Sequence, residues 1–128
     1  MEKKVALVIP EINSTHISKY KSKIIANPNC TTIISLMAIK PLYDIGSIRR
    51  IVATSFQSVS GAGNAGMTEL ISETKRFLSG TKKSKNKVFD RNIAFNVIPK
   101  IGLITKNGYS EEEMKLHNES RKILSDNR

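Results

Sequence analysis

Short apolar runs that alternate with helical runs predict an α/β (α+β) chain. Three observations carry that prediction. "KKVALVIP" (3–10) and "NIAFNVIP" (92–99) are short apolar runs, each ended by a proline. "SIRRIVATSFQSVSG" (47–61) is rich in β-branched residues. Between and after these lie segments with helical spacing and recognisable stops.

Taken in order, residues 3–10 read as a buried strand stopped by Pro10. "EINSTHISKYKSK" is polar, with Asn13, Ser14 and Thr15 as candidate helix caps. "IIA" (24–26) reads as a second strand, ended by "NPN". From Cys30, "CTTIISLMAIKPLYDI" sets Ile33, Ile34, Met37 and Ala38 on one helical face, with a kink at Pro41 and a stop at Gly46. The strand 47–61 follows, then a glycine loop "SGAGNAG" and a helix over 67–80 closed by Gly80. A strand over 92–99 precedes the last helix, 110–126, where Ser110 and Glu113 form a capping box and acidic residues fill the first turn.

A length of 128 residues suits one domain, and 39% hydrophobic with 25% charged residues is ordinary for a globular protein. No apolar stretch reaches the ~18–20 residues of a membrane span. The start "MEKKVALVIPEIN" is broken too soon to be a signal peptide, so the expected location is cytoplasmic. One cysteine excludes an internal disulfide and a cysteine-based zinc site, and the expected metal is none. The net charge of +10 raises nucleic acid as a partner. Much of the excess lies in the Lys/Ser stretch 79–91, with 5% aromatic residues and no Trp for base stacking. The expectation is therefore a solvated loop, with no nucleic-acid and no membrane partner.

Cys30 opens a helical run directly after "NPN". A thiol ordinarily titrates near about 8.5 and is sluggish when protonated. At a helix N-terminus, free backbone N–H groups favour the thiolate and could also steady charge on a substrate carbonyl oxygen. Position alone leaves Cys30 open between this role and a small buried core residue. Gln57 ends the predicted strand before the glycine loop, where an amide could orient a bound carbonyl and glycines let a flat ligand approach. "GAGNAG" lacks the strand–acid context of a dinucleotide fingerprint. Glu112 and Lys115, three apart, form either a surface ion pair or a clamp for an ammonium and an anion. His16 and His117 lack metal-ligand spacing and read as solvated or capping residues.

Together, "IIANPNCTTI", "KPLYDIGSIRRIVATSFQSVSGAGNAGMTEL", "IAFNVIP" and "YSEEEMKLHNESRKIL" resemble the middle of the aspartate-semialdehyde dehydrogenase family in order and spacing. The NPNC turn and the Q-x-V-S-G-A-G loop are the most specific parts, and Thr31 stands where that family usually has Ser. The resemblance implies a partial catalytic/dimerisation domain over 30–128, a mixed β-sheet with helices packed on it, preceded at 1–29 by the end of the nucleotide-binding half. It implies NADPH-dependent reduction of β-aspartyl phosphate to aspartate β-semialdehyde with release of phosphate, on the route to lysine, threonine and methionine. Cys30 would be the nucleophile that forms a thioester, and Gln57 would orient the substrate. Asn29, Glu112 and Lys115 would hold the substrate and its phosphate. Ser60, Gly61, Ala62 and Gly63 would lie against the nicotinamide of NADP. The family's phosphate-loop half, substrate-carboxylate arginine and general-base histidine have no counterpart here. The chain is thus expected to be a central fragment, inactive alone. It would be part of a dimer or tetramer, or a degenerate product that acts only beside a complementary chain.

Overall fold

The structure, a computed structural model, describes residues 4–81 and 88–126. The chain divides into two compact units, Met1–Ala53 with Gly102–Arg128, and Thr54–Ile101.

In the first unit, strand β1 (Ala6–Leu7) pairs in parallel with β2 (Ile25–Ala26), Ala6 opposite Ile25 and Leu7 opposite Ala26. The predicted strand 3–10 is shorter than expected because Pro10 begins helix α1 (Pro10–Asn13) rather than merely ending a strand. Its ring presets the helical φ at a position whose N–H has no intrahelical partner anyway. Helix α2 (His16–Lys19) follows.

Asn13 does not cap from outside. It lies buried at the end of α1, where its Oδ1 accepts from Ile9 N (2.8 Å) and its Nδ2 donates to the Leu7 carbonyl (3.0 Å). Nδ2 also meets His16 Nδ1 at 2.9 Å, and His16 Nε2 meets Ser125 Oγ at 3.3 Å. An amide N–H₂ can only donate, so the network assigns His16 as neutral with its proton on Nε2. His16 is buried rather than solvated, and that burial, with Lys19 nearby, holds its titration below the ordinary 6.5.

Helix α3 (Cys30–Ile45) runs through Pro41 and stops at Gly46, whose N–H donates to the Leu42 carbonyl. Helix α5 (Glu111–Leu124) starts with the expected capping box. Glu113 N donates to Ser110 Oγ, and Ser110 N donates to Glu113 Oε2 at 2.6 Å, which draws the Glu113 carboxyl below its ordinary value. Leu7, Ile9, Leu36 and Ile123 form the core where β1, α1, α3 and α5 meet, with Ile33 packed against it. Burying each such side chain stabilises by about 1.5–3 kcal/mol. The buried face of α3 is therefore Thr32 and Leu36, while Ile34, Met37 and Ala38 are exposed. The helix is apolar on several sides, and periodicity alone could not say which side faces the core.

The second unit is built on helix α4 (Gly63–Leu78), preceded by a 3₁₀ turn at Val59–Ala62. The glycine stretch is thus the helix entrance rather than a loop. Gly66 is required by packing, since a Cβ there would sit 2.7 Å from the Val59 carbonyl. Gly80, at φ +71, closes the helix in a Schellman arrangement, with Gly80 N bonded to Phe77 O and Thr81 N to Arg76 O.

Two predicted strands do not form. Residues 47–58 pair with no strand among the described residues, and Val52 and Phe56 are 82% and 83% exposed. Branched residues favour a pleat, yet a strand needs a neighbour to satisfy its N–H and C=O groups. In 92–99 the donors go elsewhere: Ile93 N and Ala94 N both donate to Glu73 Oε2, at 2.7 and 3.0 Å. Phe95 then takes φ +57, which turns the chain. Residues 82–87 of the predicted Lys/Ser loop lie outside the described residues.

Candidate functional site

Asn29 is the N-cap of α3, and its Oδ1 accepts from Thr31 N (2.9 Å) and Thr32 N (3.3 Å). Its two donors both go to α5. The backbone N–H meets Glu119 Oε2 at 2.8 Å, and Nδ2 meets Glu112 Oε1 at 2.5 Å. Glu112 Oε2 in turn holds Lys115 Nζ at 3.1 Å. Positions 112, 115 and 119 fall on one face of a helix, three and seven residues apart. The capping box sets the first turn of that helix, and Ile123 anchors its far end in the core.

Cys30 is the first residue of α3 and is exposed, which excludes the buried-core reading of the thiol. It stands at the positive end of the helix dipole, directly after the residue that ties α3 to α5. Thr31 N and Thr32 N are occupied by the Asn29 cap, so they are not the open donors for a carbonyl oxygen that the sequence suggested. Glu112 and Lys115 do form an ion pair, but not one confined to the surface. The Glu112 side chain is only 14% exposed and also holds Asn29, whereas Lys115 keeps its head in water. Three of the expected residues, Asn29, Glu112 and Lys115, are therefore joined by direct bonds, with Cys30 next in chain to the first. An exposed thiol that follows a cap residue bonded to a carboxylate–ammonium pair has the groups to attack an acyl carbon on a substrate that bears both charges.

Gln57 and Ser60–Gly63 belong to the second unit. Ser58 caps the 3₁₀ turn, its carbonyl accepting from Gly61 N at 3.1 Å. The Gln57 amide folds over Gly61 so closely that any Cβ there would collide with it. Gly63, at φ +70, has open space where a side chain would project. At Gly63 the turn thus presents bare backbone that a flat ring could approach.

Sequence reasoning missed Glu119, although its place two turns after Glu112 was a usable signal. It also missed Glu69 and Glu73, buried one turn apart on α4. Glu69 accepts from Val88 N (2.8 Å) and Phe89 N (3.2 Å). His117 is exposed, its Nε2 2.6 Å from Arg121. Among the described residues no three of His, Cys, Asp and Glu are grouped to hold a metal, and no helix is long and apolar enough to cross a membrane.

An exposed cysteine at a capped helix start, with a carboxylate–ammonium pair bonded to the cap, is an arrangement suited to a protein that works through a thiol. The chain belongs to the semialdehyde dehydrogenase dimerisation-domain family, whose profile matches residues 39–128. It is 49% identical over 123 residues to an aspartate-semialdehyde dehydrogenase of Vibrio mimicus, covering 95% of this chain and 39% of that protein. The corresponding protein of Aquifex aeolicus is 42% identical over 127 residues, covering 98% of this chain and 37% of the relative. A crystal structure of aspartate semialdehyde dehydrogenase II from Vibrio cholerae, complexed with ASA, superimposes with a TM-score of 0.92 at 45% identity, over 98% of this chain and 37% of that one. A probable aspartate-semialdehyde dehydrogenase from Pseudomonas aeruginosa gives 0.84 at 25% identity, over 97% of this chain and 37% of that one. This chain therefore spans less than two fifths of the length of these relatives.

Proposed function

We propose that Cys30 is the nucleophile in NADPH-dependent reduction of β-aspartyl phosphate to aspartate β-semialdehyde. The observation that carries this reading is the bonded chain Asn29–Glu112–Lys115, which begins one residue from an exposed thiol at a helix start. The Cys30 sulfur attacks the acyl carbon, forms a thioester and expels phosphate. Glu112 takes the substrate ammonium, while Lys115 and the Asn29 amide take the phosphate. Gln57 orients the substrate. Ser60, Gly61, Ala62 and Gly63 would hold the nicotinamide, and the open space at Gly63 suits a flat ring. The cofactor, when bound, supplies hydride. Residues 1–29 close the nucleotide-binding half, and 30–128 form part of the catalytic and dimerisation domain of a homo-oligomer.

The second reading is that this chain does not turn over by itself and acts only with complementary segments. Two observations favour it. The relatives are more than twice as long, and neither histidine is poised as a base: His16 is buried with both ring nitrogens engaged, and His117 sits against Arg121. One experiment tests both. Replace the matching stretch of the Vibrio mimicus enzyme with this chain and follow NADPH oxidation in the chimera. Turnover that disappears with Cys30→Ser, beside none from the isolated chain, is expected. A folded chimera without turnover overturns the assignment of Cys30, and turnover by the isolated chain overturns the second reading.

A further inference from the structure

Asn29 performs three tasks at once. Its Oδ1 closes the first turn of α3, its Nδ2 reaches Glu112, and its backbone N–H reaches Glu119. Under the function proposed above, on which this inference rests, Glu112 must turn to the substrate ammonium. The Asn29 side chain then loses its hold on α5, and the Glu119 bond is the tether that stays. We propose that Glu119 is a positioning residue. By accepting the Asn29 backbone N–H, it fixes the peptide ahead of Cys30, so the cap and the thiol keep their places while Glu112 is occupied. The Asn29 N–H is part-buried, and losing its acceptor leaves a donor unpaired, which disfavours the present turn. Glu119 touches neither the thiol's substrate nor the ion pair in this role. It works through the backbone.

Cys30 is the only cysteine of the chain, so alkylation by iodoacetamide reads one position. Rates are compared for the folded chain, the chain in urea, E119A and E119Q, with circular dichroism as the check on folding. The folded chain should react faster than the unfolded one. E119A should slow by about five-fold, the factor set by a net hydrogen bond of ~1 kcal/mol. E119Q retains an oxygen acceptor and should stay within about two-fold. Should E119A lose its helical signal, E119D takes its place; it keeps the charge, shortens the reach and should lose the same factor. E119A alkylated at the parent rate overturns the proposal, whatever happens to its melting temperature. Equal acceleration in E119A and E119Q also overturns it, since charge rather than position would then be the agent. A folded parent no faster than the urea sample fails differently: it removes the nucleophile reading itself, without reference to any variant.

Discussion

The first unit hides Leu7, Ile9, Leu36 and Ile123 from water, whereas in residues 54–101 the buried described side chains are Glu69 and Glu73, with Gly66 beside them. Hydrocarbon burial is non-directional and scales with area, so the first unit can absorb small shifts of geometry. Buried carboxylates stabilise only while their acceptor sites are met by correctly aimed donors. In the second unit those donors are backbone N–H groups at 88–89 and 93–94, so an α-helix organises loop rather than another element of regular structure. Its own apolar residues, Phe56, Phe77, Leu78 and Phe95 among them, remain exposed.

Aromatic residues make the comparison measurable. All three tyrosines, 20, 43 and 109, lie in the first unit, and all four phenylalanines, 56, 77, 89 and 95, lie in the second. Leu36→Ala should have the largest effect, about 2–5 kcal/mol, since it empties the centre of the hydrocarbon core. Urea unfolding followed by tyrosine fluorescence should shift far to lower denaturant, while phenylalanine circular dichroism shifts little. Parallel loss of both signals would break the comparison, because the units would then unfold as one.

Next in size is Glu73→Ala. It leaves Ile93 N and Ala94 N without their carboxylate, with an expected loss of about 1.5–3 kcal/mol in the second unit. Glu73→Gln keeps an acceptor and should lose less. Hydrogen exchange checks it: the Ile93 and Ala94 amides should lose protection in Glu73→Ala, and amides of α3 should not. Unchanged protection at 93 and 94 would mean that the carboxylate is not what orders this loop.

The same contrast explains what was legible in the sequence. Local signals held where one chain segment decides the outcome. Examples are the Ser110–Glu113 box, the Gly46 and Gly80 stops, and the start of α3 at Cys30. Helix α3 kept its length, but its buried side was misassigned because Ile34 and Met37 are as apolar as Leu36. The predicted strands 47–61 and 92–99 failed for a different reason. Pairing is non-local, and the donors of Ile93 and Ala94 answer to a glutamate twenty residues earlier. The family resemblance pointed to Asn29, Glu112 and Lys115, and the structure joins these three by direct bonds. Glu119 shares the helix face of Glu112, which helical spacing shows, but its contact with Asn29 spans 90 positions and local pattern carries no trace of it.

Mild acid gives the smallest effect and the finest separation of the two units. Both histidines lie in the first unit, and His16 is held below 6.5 by burial and by Lys19. As pH falls past 6.5, the unfolded chain takes up a proton that the folded ring resists. The unfolded state then binds more protons, and stability falls with pH. One such proton limits the slope to about 1.4 kcal/mol per pH unit. The second unit has no histidine. Its Asp90 is held below 3.8, chiefly by the hydrogen bond from Lys100 at 2.7 Å, so that contribution is complete above 3.8 and is lost only as pH falls through the depressed value. From pH 6.5 to about 5, above the carboxylate range, the tyrosine-reported midpoint should therefore drift to lower urea while the phenylalanine-reported midpoint holds. His16→Gln should abolish the drift. If the tyrosine midpoint is the same one unit above and one unit below 6.5, the Asn13–His16–Ser125 network does not discriminate against the charged ring, and the neutral tautomer assigned to it is wrong.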